Sequence, residues 1–243
     1  MAYRTSEIAK EAGVHPNTVR YYEEIGFLPP IPRNASGYRV FADTHLTQLK
    51  LIKAALRSEI LQSNLRKQAC EIIMLCAEKN HAKALERTIK YHTAICKEIE
   101  NAEEAINLVR DFLYYQDDKE HALQLKRNEA AKHLGITIDT LRNWELNGLI
   151  TIPRKENGYR AYTNKEIREL KIIRTLRNAN YSLMSILRML NRLKSSADSD
   201  LRLLLDTPNP DEDIVSVTDK LLTSLSDAKC DAEEMIVCIS KMK

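Results

Sequence analysis

This chain is poor in residues that interrupt helices and in motifs that carry out chemistry. Its 243 residues include only six glycines and seven prolines. Long helices therefore meet little opposition, and no glycine-rich phosphate loop is present. No apolar run approaches the roughly 20 residues that span a bilayer, so no membrane partner is expected. The opening Met1-Ala-Tyr-Arg-Thr5 lacks the apolar stretch of a secretory leader, which makes the cytoplasm the expected location. There the five cysteines, Cys70, Cys76, Cys96, Cys230 and Cys238, are expected to be reduced thiols, since an odd count without a Cys-x-x-Cys pair does not suggest a disulfide framework. Gly-x-Ser-x-Gly and His-Glu-x-x-His are absent too, and the six histidines share no partner pattern. Enzyme chemistry has no anchor, and no cofactor or metal is called for.

What the chain does have is a local pattern written twice. The first copy runs Glu7-Ile-Ala-Lys-Glu-Ala-Gly13-Val-His-Pro-Asn-Thr18-Val-Arg20-Tyr-Tyr-Glu23-Glu-Ile-Gly26, then Pro32-Arg33, then Gly37-Tyr38-Arg39-Val-Phe41. The second runs Glu129-Ala-Ala-Lys-His-Leu-Gly135-Ile-Thr-Ile-Asp-Thr140-Leu-Arg142-Asn-Trp-Glu145-Leu-Asn-Gly148, then Pro153-Arg154, then Gly158-Tyr159-Arg160-Ala-Tyr162. The offset is 122 residues at the start and 121 after the turn, so the copies differ by one loop residue. An internal repeat of this kind sets the architecture before any single residue does.

Charge follows the repeats. Residues 1–60 hold 8 Lys and Arg against 6 Asp and Glu, and residues 125–194 hold 15 against 6. The intervening 61–124 hold 9 against 11, and 195–243 hold 5 against 11. Positive charge sits where a polyanion would dock, and the acidic segments belong away from it.

Each copy carries the punctuation of a short helix, a turn, a second helix and a hairpin. Thr5 is expected to cap a helix with Ile8, Ala9 and Ala12 on its apolar face, and Gly13 to end it. Pro16 suits the first turn of the next helix, which carries Val19 and Tyr22 inward and stops at Gly26. Gly135 and Gly148 repeat these stops. The stretch from Leu28 to Phe41 reads as two short strands around a turn, a wing. A further amphipathic helix follows each wing, with Leu46, Leu49, Ile52 and Leu56 in one copy and Ile167, Leu170, Ile173 and Leu176 in the other. Two longer seams complete the chain: Leu85, Ile89, His92, Cys96, Ile99, Ala102, Ile106, Val109 and Leu113, and then Ile214, Val217, Leu221, Leu225, Ala228, Ala232, Met235, Ile239 and Met242. Pro208 and Pro210 should end the Leu201–Leu205 stretch before the second seam.

The expected fold is dominated by α-helix, with two winged helix-turn-helix domains joined by long coiled-coil helices. Its divisions are 1–60 and 121–195 for the heads, 61–120 for the connecting helices and first seam, and 196–243 for the acidic second seam. A helix-turn-helix places the start of its second helix in the major groove. Asn17, Thr18 and Arg20 are groups that read base edges or hold phosphates, with Tyr21 beside them. Arg33, Tyr38 and Arg39 lie where a wing meets the DNA backbone. The second-copy counterparts are Asp139, Thr140, Arg142, Asn143, Arg154, Tyr159 and Arg160. Tyr22 and Trp144 are assigned to packing, and Tyr38 and Tyr159 have wing core as their alternative.

The run Thr18-Val-Arg20-Tyr-Tyr-Glu23-Glu-Ile-Gly26-Phe-Leu with Gly37-Tyr38-Arg39-Val-Phe41 resembles the winged-helix head of the MerR family of bacterial transcription regulators. The second copy resembles it too, and Asn180-Tyr-Ser-Leu183 looks like the start of that family's fourth helix. The resemblance implies a head on double-stranded promoter DNA, an antiparallel dimerising helix and a C-terminal region that senses an inducer. It implies that promoter DNA is distorted so that RNA polymerase can use it, which makes the polymerase an indirect partner. It carries the contact positions to Arg20, Tyr21, Arg33, Tyr38 and Arg39 and their equivalents.

This chain departs from that pattern. It has two heads and little room for a ligand-binding domain. Asp139 stands for Asn17, and Asn143-Trp144 for Tyr21-Tyr22. An Asp accepts from cytosine N4 but repels phosphate. The matched seams point either to pairing within one chain, a pseudo-dimeric monomer, or to a homodimer with four heads. Cys230 and Cys238 lie two helical turns apart and Cys70 and Cys76 six residues apart, so all four read as buried apolar thiols rather than metal ligands. Tyr91, Tyr114 and Tyr115 read as packing rather than a cation pocket. Two other functions stay open: a protein-interaction scaffold and an architectural DNA binder.

Overall fold

The computed structural model describes residues 2–57, 64–114, 124–153, 160–195, 200–208 and 217–242. Arg154, Tyr159, Tyr115, Pro210 and Ile214 lie outside these described residues. Two compact units form, one from residues 1–97 and 224–243 and the other from 98–223.

In the first unit, strand β1 (Ala2–Tyr3) pairs antiparallel with β2 (Phe41–Ala42). Between them come α1 (Thr5–Ala12), α2 (Pro16–Glu24) and the wing. Gly13 closes α1 in the left-handed region at φ 64°, where a β-carbon is strained. Thr5 is not the cap: Arg4 holds that position and its N–H donates to the Glu7 carboxylate at 2.7 Å. A carboxylate at the third helical position satisfies a free N–H and complements the helix dipole, so the first turn needs no hydroxyl. Lys126 and Glu129 repeat the device at 2.7 Å.

Helix α3 (Asp43–Arg57) buries Leu49, Leu51 and Ile52 against α1 and α4 (Leu65–Ala77). Leu46 and Leu56 are only half-buried, and His45 and Gln48 complete the inner stripe instead. His45 earns its buried place by accepting the Ala42 N–H at 2.9 Å. Burial pushes its pKa below the ordinary value.

Helix α5 (His81–Tyr114) contributes its first half to this unit. Its inward residues there are Ala84, Thr88, Tyr91 and Ile95. The expected seam is therefore one residue out of register, with Ile89 half exposed. Both registers step by four and three. Small Ala84 and Thr88 admit close helix approach, and Thr88 satisfies its hydroxyl on the Ala84 carbonyl at 2.8 Å. Ala102, Ile106 and Val109 are buried as expected, whereas Leu113 is exposed.

Helix α11 (Leu221–Met242) brings Ala228, Ala232, Met235 and Ile239 inward. From Ser224 onward it belongs to the first unit. His92 approaches Glu233 at 3.4 Å, and His81 and Met242 border one cavity, so α11 runs antiparallel to the first half of α5. Arg57 at the end of α3 grips the same helix, reaching Asp231 at 2.6 Å and Glu234 at 2.9 Å.

The second unit repeats the plan with α6 (Arg127–Leu134), α7 (Ile138–Leu146), α8 (Asn164–Asn178) and α9 (Leu183–Ser195), followed by α10 (Leu201–Asp206). A Leu125–Tyr162 bridge replaces the two-stranded pairing. Asn180 sits at φ 69° and donates to Glu98 at 3.1 Å, and buried Tyr181 donates to the Ala102 carbonyl at 3.3 Å. These bonds fix α8 and α9 onto the second half of α5. Buried Arg188 donates to the Leu204 carbonyl at 3.2 Å and the Leu205 carbonyl at 3.4 Å, closing the end of α10. The Asp206 carboxylate caps the start of α11 through the Leu222 N–H at 2.9 Å.

Cys76 and Cys238 are buried, while Cys70 is only half-buried and Cys230 is exposed, so these two depart from the buried-thiol reading. Cys230 lies midway between inward Ala228 and Ala232, and two residues turn a helix by about 200°. Burial pushes the Cys76 thiol up to about 12. Under native conditions at pH 8 a thiol reagent should modify Cys230 rapidly and leave Cys76 and Cys238 until denaturant is added. Equal native labelling of Cys76 would contradict this packing.

Candidate nucleic-acid interface

The first head carries a concavity of about 1110 Å³ between α2, the start of α1 and the wing. Four arginines border it: Arg4, Arg20, Arg33 and Arg39. Low-dielectric walls focus such a potential onto an approaching anion.

Each side chain has a local reason for its place. His15 caps α2 by accepting the Asn17 N–H at 3.2 Å, and Pro16 opens the helix. Val19 faces the core, which sends Asn17, Arg20 and Tyr21 outward; Thr18 is half-buried. Arg20 donates to the Asn17 side chain at 3.1 Å, so one cation and one amide are held side by side. Tyr21 is 56% exposed and Tyr38 is 72% exposed. That exposure rules out wing core for Tyr38. Tyr22 is half-buried against Phe27 at 6.1 Å.

The wing is a hairpin. Arg33 bridges Arg39, the Asn34 N–H reaches the Tyr38 carbonyl at 2.9 Å, and Gly37 turns at φ 81°. Arg33 donates to the Gly37 carbonyl at 3.0 Å. Arg39 points back to the helix and pairs with Glu23 at 2.5 Å. Its charge is thereby shared between tethering the wing and facing the concavity.

The second head places its counterparts on the same frame. Thr137 caps α7, accepting the Thr140 N–H at 3.0 Å. Asp139, Arg142 and Asn143 are exposed, Thr140 is half-buried, and Trp144 packs inside. Asn143 accepts from the Asn147 side chain at 2.7 Å. Glu145 takes two arginines, Arg160 at 2.7 Å and Arg127 at 2.7 Å. Arg154 and Tyr159 are outside the described residues, so this wing is traced only by Arg160 and the Ala161 N–H to Pro153 carbonyl bond at 3.3 Å.

Sequence reasoning missed Arg4, and with it the equivalent Lys126. The signal was there: a basic residue precedes the first helix of both copies at the 122-residue offset. It also missed the tethers Glu23 and Glu145, which recur in both motifs without any base-reading role.

Among the described residues, no group of His, Cys, Asp and Glu is placed to hold a metal, and no helix is long and apolar enough to cross a membrane. Cys96 lies 3.9 Å from the His92 ring, without a third such partner.

Comparison with known proteins locates the repeats independently. A model described as MerR family regulatory protein matches residues 4–41, and one described as MerR HTH family regulatory protein matches 125–193. The chain is 42% identical over 57 residues to the HTH-type transcriptional regulator CueR of Salmonella typhi, covering 23% of this chain and 41% of that protein. It is 38% identical over 53 residues to the mercuric resistance operon regulatory protein of Bacillus cereus, covering 22% of this chain and 40% of that one. To CueR of Yersinia pestis it is 31% identical over 117 residues, 46% of this chain and 84% of the relative. A crystal structure of HiNmlR, a MerR family regulator lacking the sensor domain, bound to promoter DNA, aligns with 58% of this chain and 96% of that chain at 23% identity. The TM-score of that alignment is 0.26. The chain belongs to the MerR family. With the first of these relatives it shares about two fifths of the relative's length.

Removing one tether should test the charge arrangement. Glu145→Ala frees two arginines and should cost about 1–3 kcal/mol, clearly more than Glu23→Ala. Urea midpoints of the two variants check this, and equal costs would contradict it.

Proposed function

We propose that this MerR-family chain is a sequence-specific, double-stranded DNA-binding transcription regulator that grips promoter DNA with two heads and distorts it. The observation that carries this reading is the concavity bordered by Arg4, Arg20, Arg33 and Arg39, open between a recognition helix and a wing. That shape suits a sugar-phosphate backbone, while exposed Asn17 stands at the groove-facing start of α2. In this reading Asn17, Thr18, Arg20, Tyr21, Arg33, Tyr38 and Arg39 contact DNA. Asp139, Thr140, Arg142, Asn143, Arg154, Tyr159 and Arg160 do so in the second head. RNA polymerase is met only through the reshaped promoter.

The heads, residues 1–60 and 121–195, act as one pair supplied by one polypeptide. Support comes from α11, which packs antiparallel on α5 and is clamped by Arg57 within its own chain. The family's symmetric dimer is thus imitated by a monomer whose two heads differ. Asp139 favours a cytosine where Asn17 favours an adenine. The bound site is therefore an imperfect palindrome.

One observation favours a second reading. On α7, Ile138 is 46% exposed and Leu146 is 76% exposed, where the first head has Pro16 and Glu24. A protein-contacting second head, with DNA held by the first alone, fits that apolar pair.

Gel retardation at low ionic strength separates the readings. Arg20→Ala and Arg142→Ala should each weaken retention and lower the salt slope by about one phosphate contact. Loss with Arg20→Ala alone supports the second reading; no loss with either defeats DNA binding by these helices. Selection of bound sequences should return two unlike half-sites, and a perfect palindrome would contradict unequal heads. Sedimentation should find one chain per DNA site.

A further inference from the structure

We infer that the second unit holds an effector site for a small amphipathic monocarboxylate, in the cleft between α8 and the second half of α5. The cleft has a volume of about 470 Å³, within the range of small-molecule pockets. Ala105, Leu108 and Phe112 form its apolar wall on α5. Leu108 is half exposed there, an apolar surface left without cover. Lys171 and Arg174 of α8 supply the charge.

The case rests on what the first unit does with the same positions. Helices α3 and α8 are both 15 residues long and align at an offset of 121. Lys53 in α3 donates to the carbonyls of Ala12 and Gly13, each at 3.4 Å. Its counterpart Arg174 makes no side-chain hydrogen bond or ion pair among the described residues, and neither does Lys171. Arg57 clamps its unit's long helix through Asp231 and Glu234. Its counterpart is Asn178, which lines the cleft and makes no such clamp among the described residues. Where the first unit closes head onto long helix with an ion pair, the second leaves a cavity and, among the described residues, two cations without an ion-pair partner.

A ligand carboxylate between Lys171 and Arg174 completes the missing pairing, and its apolar body covers Leu108 and Phe112. Glu104 borders the same cleft. Its charge leaves a net of one positive, which favours a monoanion over a dianion. Bound there, the ligand joins α5 to α8 as Arg57 joins α3 to α11. The site stands on the geometry of this unit alone; its regulatory consequence rests on the DNA-binding reading. By linkage, a ligand that favours the head position DNA favours tightens DNA binding by the factor DNA tightens the ligand.

The test uses the full chain and isothermal titration calorimetry with benzoate, phenylacetate and octanoate, each beside its neutral amide. At least one carboxylate should bind with one site per chain, tenfold or more tighter than its amide. Lys171→Gln and Arg174→Gln should each weaken it at least tenfold, while Lys50→Gln, the equivalent change in the first unit, leaves it unchanged. No binding by any probe, carboxylate and amide binding alike, or unchanged affinity in the α8 variants overturns the site. Circular dichroism melting of each variant confirms that it folds. Gel retardation without probe is run in parallel: retained DNA binding with no probe binding sinks the effector site alone, and the reverse sinks the DNA reading alone.

Discussion

A carboxylate on the second helix of each head holds the arginine of the wing, and the candidate interface depends on that bond. In the first head Glu23 takes Arg39; in the second Glu145 takes both Arg160 and Arg127. A short hairpin has little core of its own and is marginal in isolation. Tied to a helix whose inner face is anchored by Val19 or Leu141, it gains a fixed position. The remaining cations of the first head, Arg4, Arg20 and Arg33, then converge because the frame that carries them is set. Charge-assisted hydrogen bonds of this kind are among the stronger ones available at a partly exposed site.

The helix-turn-helix frames were legible in the sequence because their signals are local. Gly13 and Gly135 close their helices in the left-handed region, and Pro16 opens α2 where its missing N–H costs nothing. The alternation of apolar residues placed Ile8, Ala12, Leu49 and Ile52 inside. What escaped depends on partners distant in the chain. The first half of the α5 seam lies one residue from its expected register because hydrophobicity ranks Leu85 and Ile89 above Ala84 and Thr88, whereas helix packing selects the smaller pair. Cys230 was misread because its side is fixed by Ala228 and Ala232, two small residues with weak signals of their own. Thr5 was credited with a cap that Glu7 performs through the backbone of Arg4.

The candidate interface was readable in outline. Asn17, Arg20, Tyr21, Arg33 and Tyr38 stand exposed, and Arg39 is half withdrawn into its pair with Glu23. Arg4 carries a weaker signal, the basic residue before the first helix of both copies, and it joins the concavity because β1 pairs with β2 just after the wing. The two heads share a scaffold and diverge on its outer face. Pro16, Asn17, Tyr21 and Glu24 give way to Ile138, Asp139, Asn143 and Leu146, while Val19 and Leu141 keep the same buried role. Packing constrains the inner positions; the outer ones answer to whatever each head touches.

The clamp between Arg57 and α11 joins residues 174 and 177 positions apart in one polypeptide. An interface between separate chains loosens on dilution, as mass action requires. Here the second helix is covalently present at every concentration, so the packing of the first head survives at a few molecules per cell.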